Sequence, residues 1–176
     1  MSNILVVIGS ARPGRVADKV LDYIKADIAS REGVEITIAD LKEVDLPFFD
    51  NELAPVNPDY AITNPQVIAW QAMVQAADGV LFITPEYNHT LSAIQKNALD
   101  SLGPDWVNKP VSGVAYGWSG GSLAVLTLRE VLENLKADAR HGIAQLGFMK
   151  DLNPDGTLLD EANTMAQIKV AIDELV

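Results

Sequence analysis

The sequence predicts an open parallel α/β sheet with helices on both faces, built as one domain. Three observations predict it. Five short apolar runs alternate with five stretches of helical periodicity. The runs at 4–8 and 79–84 are apolar nearly throughout, as strands covered on both sides require. No internal repeat, low-complexity tract or linker interrupts the alternation, and 176 residues bury a full hydrophobic core.

The first run, Ile4-Leu5-Val6-Val7-Ile8, stops at Gly9-Ser10. A loop with Arg12, Pro13, Gly14 and Arg15 follows, and a helical pattern starts near Val16. A buried strand that opens a helix through a short loop forms an anion site. The first backbone N–H groups of the helix have no intrahelical partner, and its dipole is positive there. Gly9 and Gly14 allow close backbone approach to a phosphate. Ser10 offers a hydroxyl, and Arg12 and Arg15 can fork onto phosphate oxygens. The loop matches neither the dinucleotide fingerprint nor the nucleotide P-loop. The competing reading is an ordinary strand-to-helix loop with surface arginines.

Residues 16–30 read as an amphipathic helix with Val20, Leu21, Ile24 and Ile28 inward, ended by Gly33. Residues 34–38 alternate as a strand, which completes a β-α-β unit. Residues 41–64 are irregular: Pro47, Pro55 and Pro58 break any helix, and acids dominate. Adjacent Phe48 and Phe49 mark this loop as functional, as an interface, or as a segment pinned to the core. Asn64-Pro65 is an N-cap with proline at the first helical position, ahead of Val67, Trp70, Val74 and Ala77. A buried strand at 79–84 ends at Pro85. A helix at 90–102 stops at Gly103-Pro104, and a strand follows at 111–116. A helix at 122–135 carries Leu123, Leu126, Val131 and Leu135 as apolar positions. A fifth strand at 143–148, a turn at 153–156 and a helix at 160–175 complete the chain.

Hydrophobic residues at 48% and charged residues at 21% describe a soluble globular chain with no apolar run long enough to span a bilayer. No signal-like segment opens it. Without cysteine there is no disulfide, thiolate metal site or thiol redox centre, which fits a cytoplasmic location. The net charge of −11 argues against nucleic acid and anionic membranes as partners. Against that background, residues 1–20 hold Arg12, Arg15 and Lys19 against Asp18 alone, a local cationic excess.

In a parallel sheet, ligands sit beyond the carboxyl ends of the strands. That edge gathers the loops 9–16, 84–90 and 117–122. The second is Thr84-Pro85-Glu86-Tyr87-Asn88-His89. Tyr87 can border an aromatic ring, Asn88 offers donor and acceptor, and Glu86 and His89 are candidates for proton transfer. The competing reading is a turn that caps the next helix through Asn88 or Thr90.

Three stretches resemble the NADPH-dependent FMN reductase family, the flavodoxin-like group with quinone, chromate and azo-dye reductases. They are Gly9-Ser10-Ala11-Arg12-Pro13-Gly14-Arg15, then Pro85-Glu86-Tyr87-Asn88-His89 with Lys96-Asn97 and Asp100, and Gly117 with Gly120-Gly121. The resemblance implies a three-layer fold with a five-stranded parallel sheet in the order 2-1-3-4-5. It implies that Ser10, Arg12, Arg15, Val16 and Ala17 hold the phosphate of FMN. Pro85, Glu86, Tyr87 and Asn88 would line the isoalloxazine, largely through backbone groups, and Gly117, Trp118 and Gly121 would border its other side. NADPH or NADH would reduce the flavin and leave, and a small acceptor would take the electrons in the same place. No side chain need be a catalytic nucleophile. A homodimer or homotetramer is implied, with the helix at 91–102 and the 41–60 loop near the interface. Some members carry serine where Val16 stands, and Leu91-Ser92-Ala93 and Gln95 also depart from the family pattern.

Two rival readings remain open. Gly117-Trp118-Ser119-Gly120-Gly121 matches the G-x-S-x-G of a hydrolase elbow, but only His141 follows Ser119, and Asp100 and Asp105 precede it in the wrong chain order. A flavodoxin-like electron carrier without NAD(P)H activity would suit the acidic surface. Lys96 and Asp100, four apart on one helix face, read as an ion pair.

Overall fold

A computed structural model describes residues 1–176. Strand β1 (Ser2–Ile8) leads to helix α1 (Ala17–Ile28), strand β2 (Val34–Asp40), a single helical turn α2 (Leu41–Val44) and helix α3 (Pro65–Ala76). Strand β3 (Gly79–Pro85), helix α4 (Ala93–Asp100), a 3-10 turn (Pro104–Trp106), strand β4 (Pro110–Gly117) and helix α5 (Ser122–Asn134) follow. Short strands β5 (Asp138–Ala139) and β6 (Ala144–Gly147) precede the last helix, α6 (Glu161–Asp173).

All pairings are parallel, in the expected order β2-β1-β3-β4. The fifth place is shared: β5 pairs with Pro110 and Val111 at the start of β4, and β6 with 114–117 at its end. The single fifth strand expected is therefore two pieces. Residues 140–143 lie between them: the Arg140 N–H still donates to the Val111 carbonyl at 2.8 Å, His141 and Gly142 bow outward, and the Ile143 N–H donates to the His141 carbonyl at 3.0 Å. Two residues, Asp138 and Ala139, are too few to show strand periodicity.

Alternation along the strands divides the core. Ile4, Val6, Ile8, Leu81, Ile83, Val114 and Tyr116 face α1 and α6. Leu5, Val7, Val80, Phe82 and Val111 face the α3, α4 and α5 layer. There Trp70 and Trp106 are fully buried, and their indole N–H groups donate to the carbonyls of Ala98 at 2.9 Å and Leu99 at 3.1 Å.

Caps set the helix boundaries. Asn64 Oδ1 accepts from the N–H groups of Gln66 and Val67, with Pro65 at the first helical position. The helix expected from residue 90 begins at Ala93, because Ser92 is its N-cap and accepts from the Gln95 N–H at 3.2 Å. Neither Asn88 nor Thr90 caps it. In α5 the buried positions are Ala124, Val125, Leu128 and Leu132, whereas Leu123 and Leu126 are exposed. The helix is apolar on more than one stripe, so its periodicity does not select the inward face. No helix is long and apolar enough to cross a membrane.

Candidate functional site

The carboxyl ends of β1, β3 and β4 lie side by side, with Ile8 opposite Ile83 and Pro85 opposite Tyr116. Beyond them opens a cleft of about 520 Å³, within the range of cofactor pockets. Of the site residues expected from sequence, Ser10, Arg12, Arg15, Val16, Pro85, Glu86, Tyr87, Asn88, Gly117 and Trp118 line it. Ala17 and Gly121 do not. Ala17 is buried under the start of α1, and Gly121 is the N-cap of α5.

Val16, the N-cap of α1, makes no side-chain capping bond. The backbone N–H groups of Ala17, Asp18 and Lys19 find no backbone acceptor. The two loop arginines differ. Arg12 is exposed and makes no ion pair. Arg15 is committed: its guanidinium forks onto both oxygens of Asp40 at the end of β2, and also donates to Asp18 Oδ1 at 2.8 Å and the Ser10 carbonyl at 2.5 Å. Arg15 holds the Asp40 carboxyl below its usual range, and Asp40 in turn raises the Arg15 guanidinium. Gly9 is required by what lies beneath it rather than by a ligand above. A Cβ there would fall 2.2 Å from Gln95 Oε1 and 2.9 Å from the Ile83 carbonyl.

The loop after β3 is a tight hairpin. Tyr87 and Thr90 exchange backbone hydrogen bonds at 3.0 and 3.1 Å across Asn88 and His89, both at positive φ. Asparagine tolerates that conformation, so its place in the sequence is explained by the turn. The Tyr87 hydroxyl lies 2.7 Å from Ser10 Oγ, which links this loop to the first. The Glu86 carboxylate is held by the start of α5: it accepts from Ser119 Oγ at 2.8 Å and from the Leu123 N–H at 3.0 Å. Glu86, not Ser119, therefore caps α5. Gly121, at φ +74°, packs so closely that a Cβ would stand 2.7 Å from that of Ala115.

The fourth wall was not visible in the sequence. Phe148 and Pro154 line the cleft from the segment after β6. Phe148 meets the exposed Trp118 edge-to-face at 5.5 Å and lies 6.2 Å from Tyr116. Its backbone N–H donates to the Gly117 carbonyl at 3.0 Å. Asp151, fully buried, organises this segment. Its carboxylate accepts from the Gly147 N–H at 2.8 Å, Asn163 Nδ2 at 2.6 Å and Gln167 Nε2 at 3.2 Å. Tyr23 ties the 153–156 turn to α1 by donating to the Gly156 carbonyl at 2.8 Å.

The remaining candidates lie outside the cleft. Lys96 and Asp100 form an exposed ion pair at 2.6 Å. Asn97 anchors the 46–53 loop, donating to the Pro47 carbonyl at 2.9 Å and accepting from the Phe49 N–H at 3.0 Å. His141 is exposed on the sheet edge, and its carbonyl accepts from Arg129. It lines no wall of the cleft; the histidine that does, His89, stands 3.6 Å from the Glu86 carboxylate, and Ser119 Oγ donates to that carboxylate and not to a histidine, so the hydrolase arrangement is not assembled.

Residues 2–142 match the model of the NADPH-dependent FMN reductase family. The chain belongs to this family. The reductase is 35% identical over 150 residues to an NAD(P)H-dependent FMN reductase of Saccharomyces cerevisiae, covering 79% of this chain and 78% of the relative. It is 30% identical over 178 residues to an FMN-dependent NADPH-azoreductase of Staphylococcus haemolyticus, covering 98% and 92%. Its fold matches that of a flavoenzyme NAD(P)H:(acceptor) oxidoreductase of Paracoccus denitrificans, with a TM-score of 0.76 at 22% identity over 99% of this chain and 96% of that one. The reductase is an oxidoreductase that uses FMN and NAD(P)H.

Proposed function

We propose that this cleft holds FMN with its phosphate at the start of α1 and its ring between the 85–88 hairpin and the Trp118–Phe148 wall. The observation that carries the reading is the cleft's polarity. One end has uncapped helix N–H groups and the free Arg12, and the other has aromatic and backbone walls. Bound there, FMN supplies the hydride chemistry that no side chain of the cleft possesses. The protein's part is to bind, orient and exclude water. Arg12 and the α1 N–H groups neutralise the phosphate, while Arg15 fixes the loop that presents them. Glu86, held on α5, keeps its charge off the ring. The 85–88 hairpin and the Trp118–Phe148 wall border the ring, and the mouth of the cleft between them admits a small acceptor such as a quinone, a free flavin, chromate or an azo compound.

The reading extends to the whole chain as one domain acting in the cytoplasm, since a cysteine-free fold needs no oxidising compartment. It also includes a homodimer or homotetramer assembled through α4 and the 41–60 segment, where Phe48 and Val56 are exposed. With one open face, NAD(P)H and acceptor must take turns. Double-reciprocal plots with NADPH varied at several quinone concentrations should be parallel. Intersecting lines would mean that both occupy the protein together, against a single exchange site.

A further inference from the structure

We propose that the Tyr116 hydroxyl is a ligand of the FMN phosphate, supplying from the middle of the sheet a hydroxyl that the apolar Val16 at the start of α1 cannot. The inference rests on the placement of FMN above. It starts from a gap at Val16. This residue occupies the N-cap, where a serine, threonine, aspartate or asparagine usually accepts from the first turn, and it has no polar side-chain atom. Its methyl groups serve packing instead, for one stands 2.9 Å from where a Cβ of Gly156 would be. That contact seats the 153–156 turn against the cleft.

Tyr116 fills the space behind this cap. It is only 6% exposed, on the β4 face that packs against α1, and its ring belongs to the same core as Ala17 and Val20. It nevertheless lines the cleft, beside Ser10, Arg15 and Val16. The groups within its reach are the Ser10 hydroxyl and the Ala17 N–H. Both can donate to the phenol oxygen, and with both doing so the phenol proton is available to an acceptor at the helix start. An anion at the start of α1 would be the acceptor for that proton. Burial keeps the phenol protonated and so able to donate. Ser10, already in contact with the Tyr87 hydroxyl, completes a row of three hydroxyls from β4, the first loop and the hairpin.

The test compares FMN with riboflavin, which lacks the phosphate, by flavin fluorescence quenching on wild type, Tyr116→Phe and Arg12→Ala. Tyr116→Phe keeps the ring and its packing on Phe148, so its melting temperature without flavin should stay close to wild type. We expect Tyr116→Phe to weaken FMN by about 10- to 100-fold, the loss of one hydrogen bond to a charged group, and to leave riboflavin unchanged. Arg12→Ala separates the two claims. If it discriminates against FMN while Tyr116→Phe does not, the phosphate site stands and the tyrosine's role is overturned. If Tyr116→Phe weakens both flavins equally, the residue acts on the ring or the fold and the proposal is again overturned. If neither variant distinguishes the flavins, the placement of the phosphate itself is overturned.

Discussion

Arg12 and Arg15 stand three residues apart in one loop, and the sequence offers no reason to separate them. The structure does, because β2 ends at Asp40 beside the loop. Arg15 forks onto that carboxylate and onto the Ser10 carbonyl, so it fixes the loop's shape, while Arg12 remains free for a ligand. Replacing Asp40 by Asn should cost about 1.5–3 kcal/mol of unfolding stability at neutral pH, the value of hydrogen bonds to a charged group. The sign of its pH dependence follows from the lowered Asp40 pKa. The stabilisation is complete above the ordinary carboxyl value of 3.8 and disappears as pH falls through the lower folded value. Urea midpoints of wild type and Asp40→Asn should therefore differ at pH 7 and converge in acid below that range. A gap that persists unchanged to pH 2 would show that the carboxylate's charge is not what stabilises the loop. Val16 and Tyr116 make a second contrast: the residue next to the anion site in sequence is apolar, and the hydroxyl comes from a strand a hundred residues later.

The cap of α5 comes from another part of the chain: Glu86, at the end of β3, accepts from the Leu123 N–H and from Ser119. Glu86→Ala should lower unfolding stability by about 0.5–2 kcal/mol, the usual cost of a lost N-cap. Ser119→Ala should cost less and retain most NADPH oxidation. Wild type should give no burst with a p-nitrophenyl ester. A stoichiometric burst abolished by Ser119→Ala would restore the hydrolase reading. These caps show what was legible. Local signals located β1, α1, α3 and β3, because an apolar run, a capping asparagine or a proline decides each of them within a few residues. Three of the cleft's walls followed, since strand ends in a parallel sheet are neighbours. The fourth did not. Phe148 and Pro154 reach the cleft only because β6 pairs with the end of β4 and Asp151 gathers the next segment through Asn163 and Gln167. Those are tertiary choices with no local period. The inward stripe of α5 was missed for a similar reason: leucines on two stripes satisfy the same spacing, and only the sheet selects between them.

At the scale of the molecule, one sheet carries an anionic exterior and a small cationic corner. The net charge is −11, and the exposed Arg12 sits where the first helix begins. The negative charge disfavours polyanions, and on the proposed placement of FMN the corner and the helix start would hold its small phosphate within a concave site. The two core layers fix the relative positions of β1, β3 and β4, so the cleft is preformed by packing that needs no ligand. In the proposed function this cleft binds FMN, which accepts reducing equivalents from NAD(P)H with no second substrate present. Anaerobic stopped-flow mixing of the FMN-loaded protein with NADPH alone tests it most directly. The flavin absorbance near 450 nm (roughly the position of an oxidised flavin) should bleach in one stoichiometric phase and return when a quinone is added afterwards, with the hydride chemistry residing in the cofactor. Absorbance that stays constant with NADPH until the quinone is present would contradict the account.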